Sequence, residues 1–182
     1  DAKELAQIGE TTGIDLTADE IAVLQPAVDA VIAGYDILDQ YPDPLREVTP
    51  AIRIPGARPM PEDDPLNGIV QTCSVKAAPE VTDGLLSGKN IGLKDTICIA
   101  GMPMTCASRL LCDYTSDIDA TVTKRIIEAG GHITAVLNTD DFAFSGGGHT
   151  SVYGPGVNPD DPEHPPGGSS NGSATAVASG QV

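Results

Sequence analysis

Apolar residues in the first forty positions recur at helical intervals. Ile21, Leu24, Val28, Val31, Ile32, Tyr35 and Leu38 make one stripe, and that stripe predicts a helix. Ahead of it, Thr17-Ala18-Asp19-Glu20 has capping-box spacing: the Thr17 hydroxyl can accept from the third helical N–H while Glu20 reaches back. A shorter helix around Leu5 and Ile8 stops near Gly13. The pattern then breaks. Pro42, Pro44, Pro50, Pro55, Pro59, Pro61 and Pro65 cannot share a helix or a central strand, because each removes an N–H and fixes φ. They predict an extended connector over the surface. The chain therefore divides into a helical region at 1–41, a Pro-rich linker at 42–66 and a main domain at 67–182.

In the main domain the period changes. Ser87-Gly88-Lys89-Asn90 reads as a turn, and Ile91-Gly92-Leu93 as a short buried strand ending at Lys94-Asp95. Residues 119–129 read as a helix with Val122, Ile126 and Ala129 on one face and Gly130-Gly131 at its end. His132 to Leu137 then reads as a buried strand. Strand, helix and strand within about fifty residues suggest a right-handed βαβ crossover. The expected fold class is α/β, a mixed sheet flanked by helices, with an N-terminal helical appendage. Residues 145–170 are rich in Gly, Pro and Asn and read as a long functional or disordered loop. Ser173 to Ser179 begins a helix of small residues.

Composition narrows the function. The 182 residues carry 10 Lys+Arg against 26 Asp+Glu, a formal net charge of −16. Such a chain lacks the basic face that tracks phosphates or an anionic membrane, so neither nucleic acid nor membrane is expected as a partner. No apolar run approaches the roughly 20 residues that span a bilayer. No charged, apolar, then small-residue leader opens the chain. With no Trp, 2 Phe and 4 Tyr, the core must be built from Ala, Val, Ile and Leu. Cys73, Cys98, Cys106 and Cys112 form no C-x-x-C pair and read as buried free thiols in a reducing cytoplasm.

The strongest local feature is Gly167-Gly168-Ser169-Ser170-Asn171-Gly172-Ser173 feeding an Ala-rich helix. A Gly-rich turn into a helix N-terminus can cradle an anion. A phosphate loop would end in G-K-[ST], and there is no Lys here. The G-x-S-x-G elbow of α/β-hydrolases also fails, since no strand precedes Gly168. By spacing alone the stretch chooses no chemistry.

Other motifs occur in a fixed order with it. They are Leu93-Lys94-Asp95-Thr96-Ile97, the run from Ala100 to Ser108, Asp119-Ala120-Thr121-Val122 and Asn158-Pro159-Asp160. Together they resemble the amidase signature family of serine amide hydrolases, over roughly residues 67–182. Phe142 to His149 and the Gly154-Pro155-Gly156 turn look most like the broad-specificity amidases that accompany nitrile-hydrating enzymes.

The resemblance implies a Ser–Ser–Lys triad. Lys94 matches the catalytic Lys, and Ser169 the bridging Ser that follows a cis peptide. Gly167, Gly168, Ser170, Gly172 and Ser173 match the structural part of the motif, with Ser173 a helix-start hydrogen bonder. Phe142, Phe144, Ser145, Gly146, Gly147 and Gly148 would line the acyl pocket. The nucleophilic Ser is expected beyond Val182, in the remainder of the protein or on a companion chain, so the chain alone should hydrolyse nothing. Lys94 can act as base only when neutral, so burial must depress its pKa from about 10.4.

The expected reaction converts a small-molecule carboxamide to carboxylate and ammonia through an acyl-enzyme. No metal or organic cofactor is implied, and a cytoplasmic homo-oligomer is expected. Cleavage of carbamate, ester or peptide-terminal amide bonds is the alternative within the family. A non-catalytic scaffold is the alternative outside it, and it predicts Lys94 far from Ser169. Asp160, Asp161, Glu163 and His164, set among prolines, read as solvated loop residues rather than a cation site. His132, His149 and His164 show no metal-ligand spacing, and Cys106 and Cys112 read as packing residues.

Overall fold

Local capping signals and two short apolar strand patterns anticipate helices first and a sheet later. The computed structural model, which describes residues 1–42 and 48–182, has that order. The described residues fall into two compact units, one on either side of positions 43–47. Those positions, including Pro44 of the expected linker, lie outside the described residues.

The first unit is a helical hairpin. Helix α1 (Ala2–Thr12) is capped by Asp1, whose carboxylate accepts the Glu4 N–H at 2.9 Å, and it stops at Gly13 in the left-handed conformation. Helix α2 (Ala18–Leu38) starts at Thr17 with the expected capping box: Glu20 N–H donates to the Thr17 hydroxyl at 3.3 Å, and Thr17 N–H to the Glu20 carboxylate at 2.8 Å. The chain that leaves α1 at Gly13 packs back on Gly9, whose carbonyl accepts from Ile14 N–H at 2.8 Å; a Cβ on Gly9 would lie 2.6 Å from the Ile14 carbonyl oxygen. In the two helices only Gly9 and Ile21 are buried. By length and composition α2 is apolar enough to cross a membrane, which corrects the expectation that no segment reaches that threshold. Only Asp29 and Asp36 interrupt the apolar composition of 21–38 with charge, so the average passes where an unbroken run does not.

The second unit is a four-stranded mixed sheet in the order β1-β2-β4-β3. Strands β3 (Asn90–Lys94) and β4 (His132–Leu137) are parallel neighbours joined through α3 (Thr121–Glu128). Strand β2 (Ile69–Ala77) runs antiparallel to β4, and β1 (Ala51–Pro55) antiparallel to β2. Helix α3 packs against β2 and β4, and α4 (Asn171–Ala178) against β3 and β4. The larger core joins Val75, Leu93, Ile127, Ile133 and Val136; a smaller one joins Ala135, Leu137 and Ala176. Each fully buried aliphatic side chain contributes about 1.5–3 kcal/mol relative to exposure.

Three differences from the sequence expectations have plain causes. Part of the Pro-rich segment pairs as β1, because it is an edge strand and Pro55 closes it, where the missing N–H leaves no ladder bond open. Strand β2 interleaves Gln71, Thr72, Ser74 and Lys76 with Val70, Cys73 and Val75 and carries register shifts, so it shows no clean period. The third concerns the thiols: all four cysteines are free, but only Cys106 is buried and Cys112 is exposed.

Asp119, expected inside α3, lies ahead of it. Its carboxylate accepts from Thr49 N–H at 2.7 Å, Ala100 N–H at 2.9 Å and Arg53 at 2.6 Å, tying β1 to the loops beside α3.

Candidate active site

Open α/β sheets place their chemistry at the carboxyl ends of parallel strands. Here β3 ends at Lys94, paired in register with Leu137 at the end of β4. The chain leaves β4 as Asn138-Thr139-Asp140, three polar residues with no exposed surface. Asn138 stitches three segments together: its amide donates to the Asn67 and Gly154 carbonyls at 3.0 Å each, and its side-chain oxygen accepts from Ser151 at 2.7 Å. Its carbonyl accepts from Gly172 N–H at 3.0 Å, which fixes the first turn of α4 at the strand end.

That arrangement brings Ser169 onto Lys94. Lys94 Nζ lies 2.6 Å from Ser169 Oγ, across 75 positions of sequence. The Ser169 carbonyl accepts from Asp140 N–H at 3.0 Å and from the Thr139 hydroxyl at 2.9 Å. The Gly168–Ser169 peptide is cis. A Cβ at Gly168 would lie 2.3 Å from an Asp140 carboxylate oxygen and 2.6 Å from Gly148 N, so no larger residue fits.

Burial pushes the Lys94 ammonium below its ordinary pKa, and the Asp140 charge opposes that shift. Burial alone would raise the Asp140 carboxyl. Hydrogen bonds from the N–H groups of Thr150, Gly148 and His149 and from the Thr150 hydroxyl outweigh it, and hold the group below the usual carboxylate range. Asp95 turns the other way. Its carboxylate accepts from Thr105 N–H and hydroxyl and from Ala107 N–H at 2.6–3.0 Å, and burial raises its pKa despite them.

Two short left-handed segments are joined beside the pair. Cys106 and Ala107 both have φ 51°, and Phe142 and Ala143 have φ 46° and 59°. Phe142 N–H donates to the Cys106 carbonyl at 2.9 Å. Consecutive non-glycine residues in this conformation persist only where surrounding bonds over-determine them. Asp95 holds the first segment, its carbonyl accepting from Cys106 N–H at 3.1 Å and its carboxylate from Ala107 N–H at 3.0 Å.

The structure thus gathers Lys94, Ser169 and Gly148 into one site, with Gly146 against Gly168. Ser145 folds back to accept Gly147 N–H at 3.1 Å. Phe142 and Phe144 project outward, 46% and 94% exposed. Ser170 caps α4 by position, without a side-chain cap bond, and Ser173 lies in the first turn. His132 sits at the opposite end of the sheet, 2.9 Å from the Ser74 hydroxyl, and His164 pairs with exposed Asp161. Among the described residues no group of three or more His, Cys, Asp or Glu could hold a metal ion. Sequence reasoning missed Asp140, Thr139 and Asn138. The available signal was a polar quartet, Asn138 to Asp141, directly after a buried strand.

This mixed sheet, with a lysine at one strand end hydrogen-bonded to a serine from a Gly-rich turn, has the form of an amidase. The Amidase family model matches residues 71–182, and the chain belongs to that family. It is 50% identical over 99 residues to the A component of the glutamyl-tRNA(Gln) amidotransferase of Symbiobacterium thermophilum, covering 54% of this chain and 20% of that protein. The crystal structure of the same component from Thermotoga maritima aligns with a TM-score of 0.51 and 46% identity, over 53% of this chain and 21% of that one. A 6-aminohexanoate cyclic dimer hydrolase aligns with a TM-score of 0.51 and 29% identity, over 53% of this chain and 21% of that one. The chain spans about a fifth of the length of these relatives.

Proposed function

We propose that this chain supplies the base and the bridging serine of a Ser–Ser–Lys amide hydrolase whose nucleophilic serine lies outside it, on a continuation or a companion chain. The observation that carries the reading is the 2.6 Å contact between Lys94 Nζ and Ser169 Oγ. The scaffold alternative predicts the two far apart, and this contact speaks against it. A serine hydroxyl is a poor nucleophile until a base takes its proton, and an amine serves only in its neutral form. Burial depresses the Lys94 pKa in the required direction.

In the proposed sequence neutral Lys94 draws the proton of Ser169, and Ser169 draws that of the nucleophile as it attacks the amide carbon. The proton returns by the same path to the leaving nitrogen, ammonia departs, and water releases the carboxylate from the acyl-enzyme. The Gly146–Gly148 loop, packed on the Gly168–Ser169 turn, offers backbone that can approach the acyl group closely. Phe142 and Phe144 are proposed as the apolar rim of that pocket; their exposure leaves them free for it. A small carboxamide is the proposed substrate, with carbamates, esters and peptide-terminal amides as the alternatives. Similarity to the A components of glutamyl-tRNA(Gln) amidotransferases favours a second reading, in which the amide nitrogen is transferred to an acceptor rather than released. A homo-oligomer and a cytoplasmic location are part of the proposal, supported by the family and by four free cysteines.

The test is amide hydrolysis by the protein carrying this chain with its nucleophile, against Lys94→Ala. Loss of turnover by about 10²–10⁴-fold is expected. Wild-type turnover in Lys94→Ala would overturn the reading. Amide nitrogen recovered on an added acceptor rather than as free ammonia would select the amidotransferase alternative. Intact mass spectrometry of the folded material should show the nucleophile-bearing polypeptide, as a longer chain or a second species.

A further inference from the structure

Asp140 has no exposed surface, yet its carboxylate is bonded by neutral groups: the N–H groups of Gly148 at 3.0 Å, Thr150 at 2.9 Å and His149, and the Thr150 hydroxyl at 3.0 Å. A buried carboxylate held only by neutral donors keeps its full charge in the interior, and that charge acts on whatever cation lies nearby. The same residue grips the serine turn twice. Its N–H donates to the Ser169 carbonyl at 3.0 Å, and its carboxylate fills the space that a Cβ on Gly168 would need. One residue therefore joins the exit of β4, the Gly146–Thr150 loop and the Ser169 turn.

We propose that Asp140 is the positioning residue of the Lys94–Ser169 pair: it locks the turn that presents Ser169 and sets a fixed negative charge against that turn. The proposal rests on the reading of Lys94 as the base. The surroundings leave Asp140 as the group that supplies this charge. Helix α4 carries no charged residue, β4 has only His132 at its far end, and the Asp95 carboxylate is engaged by Thr105 and Ala107. The Asp140 charge raises the pKa of Lys94 against the lowering by burial. Removing the charge leaves burial unopposed, so Lys94 titrates at lower pH. The acidic limb of activity, where the base is lost to protonation, moves to lower pH with it.

The experiment compares Asp140→Asn with Thr150→Val in the protein that carries the nucleophile. Asp140→Asn should move the acidic limb of kcat/KM to lower pH and reduce kcat on the order of 10²-fold through a loosened Ser169 turn, with KM little changed. Thr150→Val deletes one donor and keeps the charge, so it lowers the rate while the limb stays in place. Independently of activity, NMR of the lysine side-chain amines, with Lys94 identified by its loss in Lys94→Ala, should show Lys94 titrating at lower pH in Asp140→Asn. If the Asn amide, aimed at an N–H donor, blocks folding, Asp140→Ser repeats the measurement with a neutral group that can still accept from Gly148. A Lys94 titration at or above the wild-type pH in the neutral variant, or an unmoved acidic limb, overturns the proposal. Full activity of Lys94→Ala would sink the triad reading instead, and the NMR titration would still decide the role of Asp140.

Discussion

The helical unit owes its form to bonds made within a few residues. Asp1 caps α1, Thr17 and Glu20 close a capping box on α2, and Gly13 ends the first helix. Little is buried there: Val23 is 78% exposed, and Ile21 is the one buried apolar side chain of these two helices, with Leu5 and Val28 half-buried. The sheet unit depends on distant partners. Ile133 and Val75 are fully buried between strands, and Asp119, Asn138 and Asp140 each bind segments far apart in sequence. Local signals thus suffice to shape a hairpin, while a site that must hold a lysine against a serine needs long-range polar ties in a dry interior.

Four substitutions would break or sharpen that contrast. The largest stability effect is expected at Asp119→Ala, which leaves Arg53 and two buried N–H groups without their acceptor. A loss of about 3–5 kcal/mol in the sheet unit's urea unfolding is expected. Ile133→Ala empties a site with no exposed surface and should remove about 2–5 kcal/mol from the same transition. If either change lowered only the helical unit's stability, the contrast would be wrong.

A smaller and more local effect is expected at Thr17→Ala. It should lower α2 stability by about 1 kcal/mol, read as faster amide exchange near residues 18–21, with the sheet unit's exchange unchanged. Least of all is the change at His132, whose pKa burial and the Lys76 charge both lower from 6.5. The unfolded ring binds its proton more tightly than the folded one. Its contribution is therefore complete above about pH 6.5 and falls as pH drops through and below that value. His132→Gln should flatten that part of the stability profile; an identical profile would show that the ring is not the titrating group.

Much of this is legible in the sequence, for identifiable reasons. The hairpin can be read because caps and helical periodicity are local. Strand β4 can be read because it is buried on both faces and runs as HITAVL without a break. Lys94 and Ser169 can be nominated because their motifs are short and ordered along the chain. Strand β2 stays hidden since its inward and outward residues alternate irregularly around register shifts. The edge strand β1 stays hidden behind its prolines. Asp140 is one acidic residue among 26 Asp and Glu, and its one local signal, a polar quartet after a buried strand, does not tell it apart from Asp141.

By itself the sequence determined the residue types that chemistry requires, the turns that glycine and proline impose, and the caps that start both N-terminal helices. These rest on interactions spanning three or four residues, and the chain carries them wherever it folds. Only the tertiary structure decided that Lys94 meets Ser169 at 2.6 Å and that Asp140 is buried beside them. A contact across 75 positions depends on sheet order, on the parallel register of β3 with β4 and on Asn138 holding α4 at the strand end. Burial, and with it the depressed pKa of Lys94, is a property of that packed arrangement and of no single residue in it.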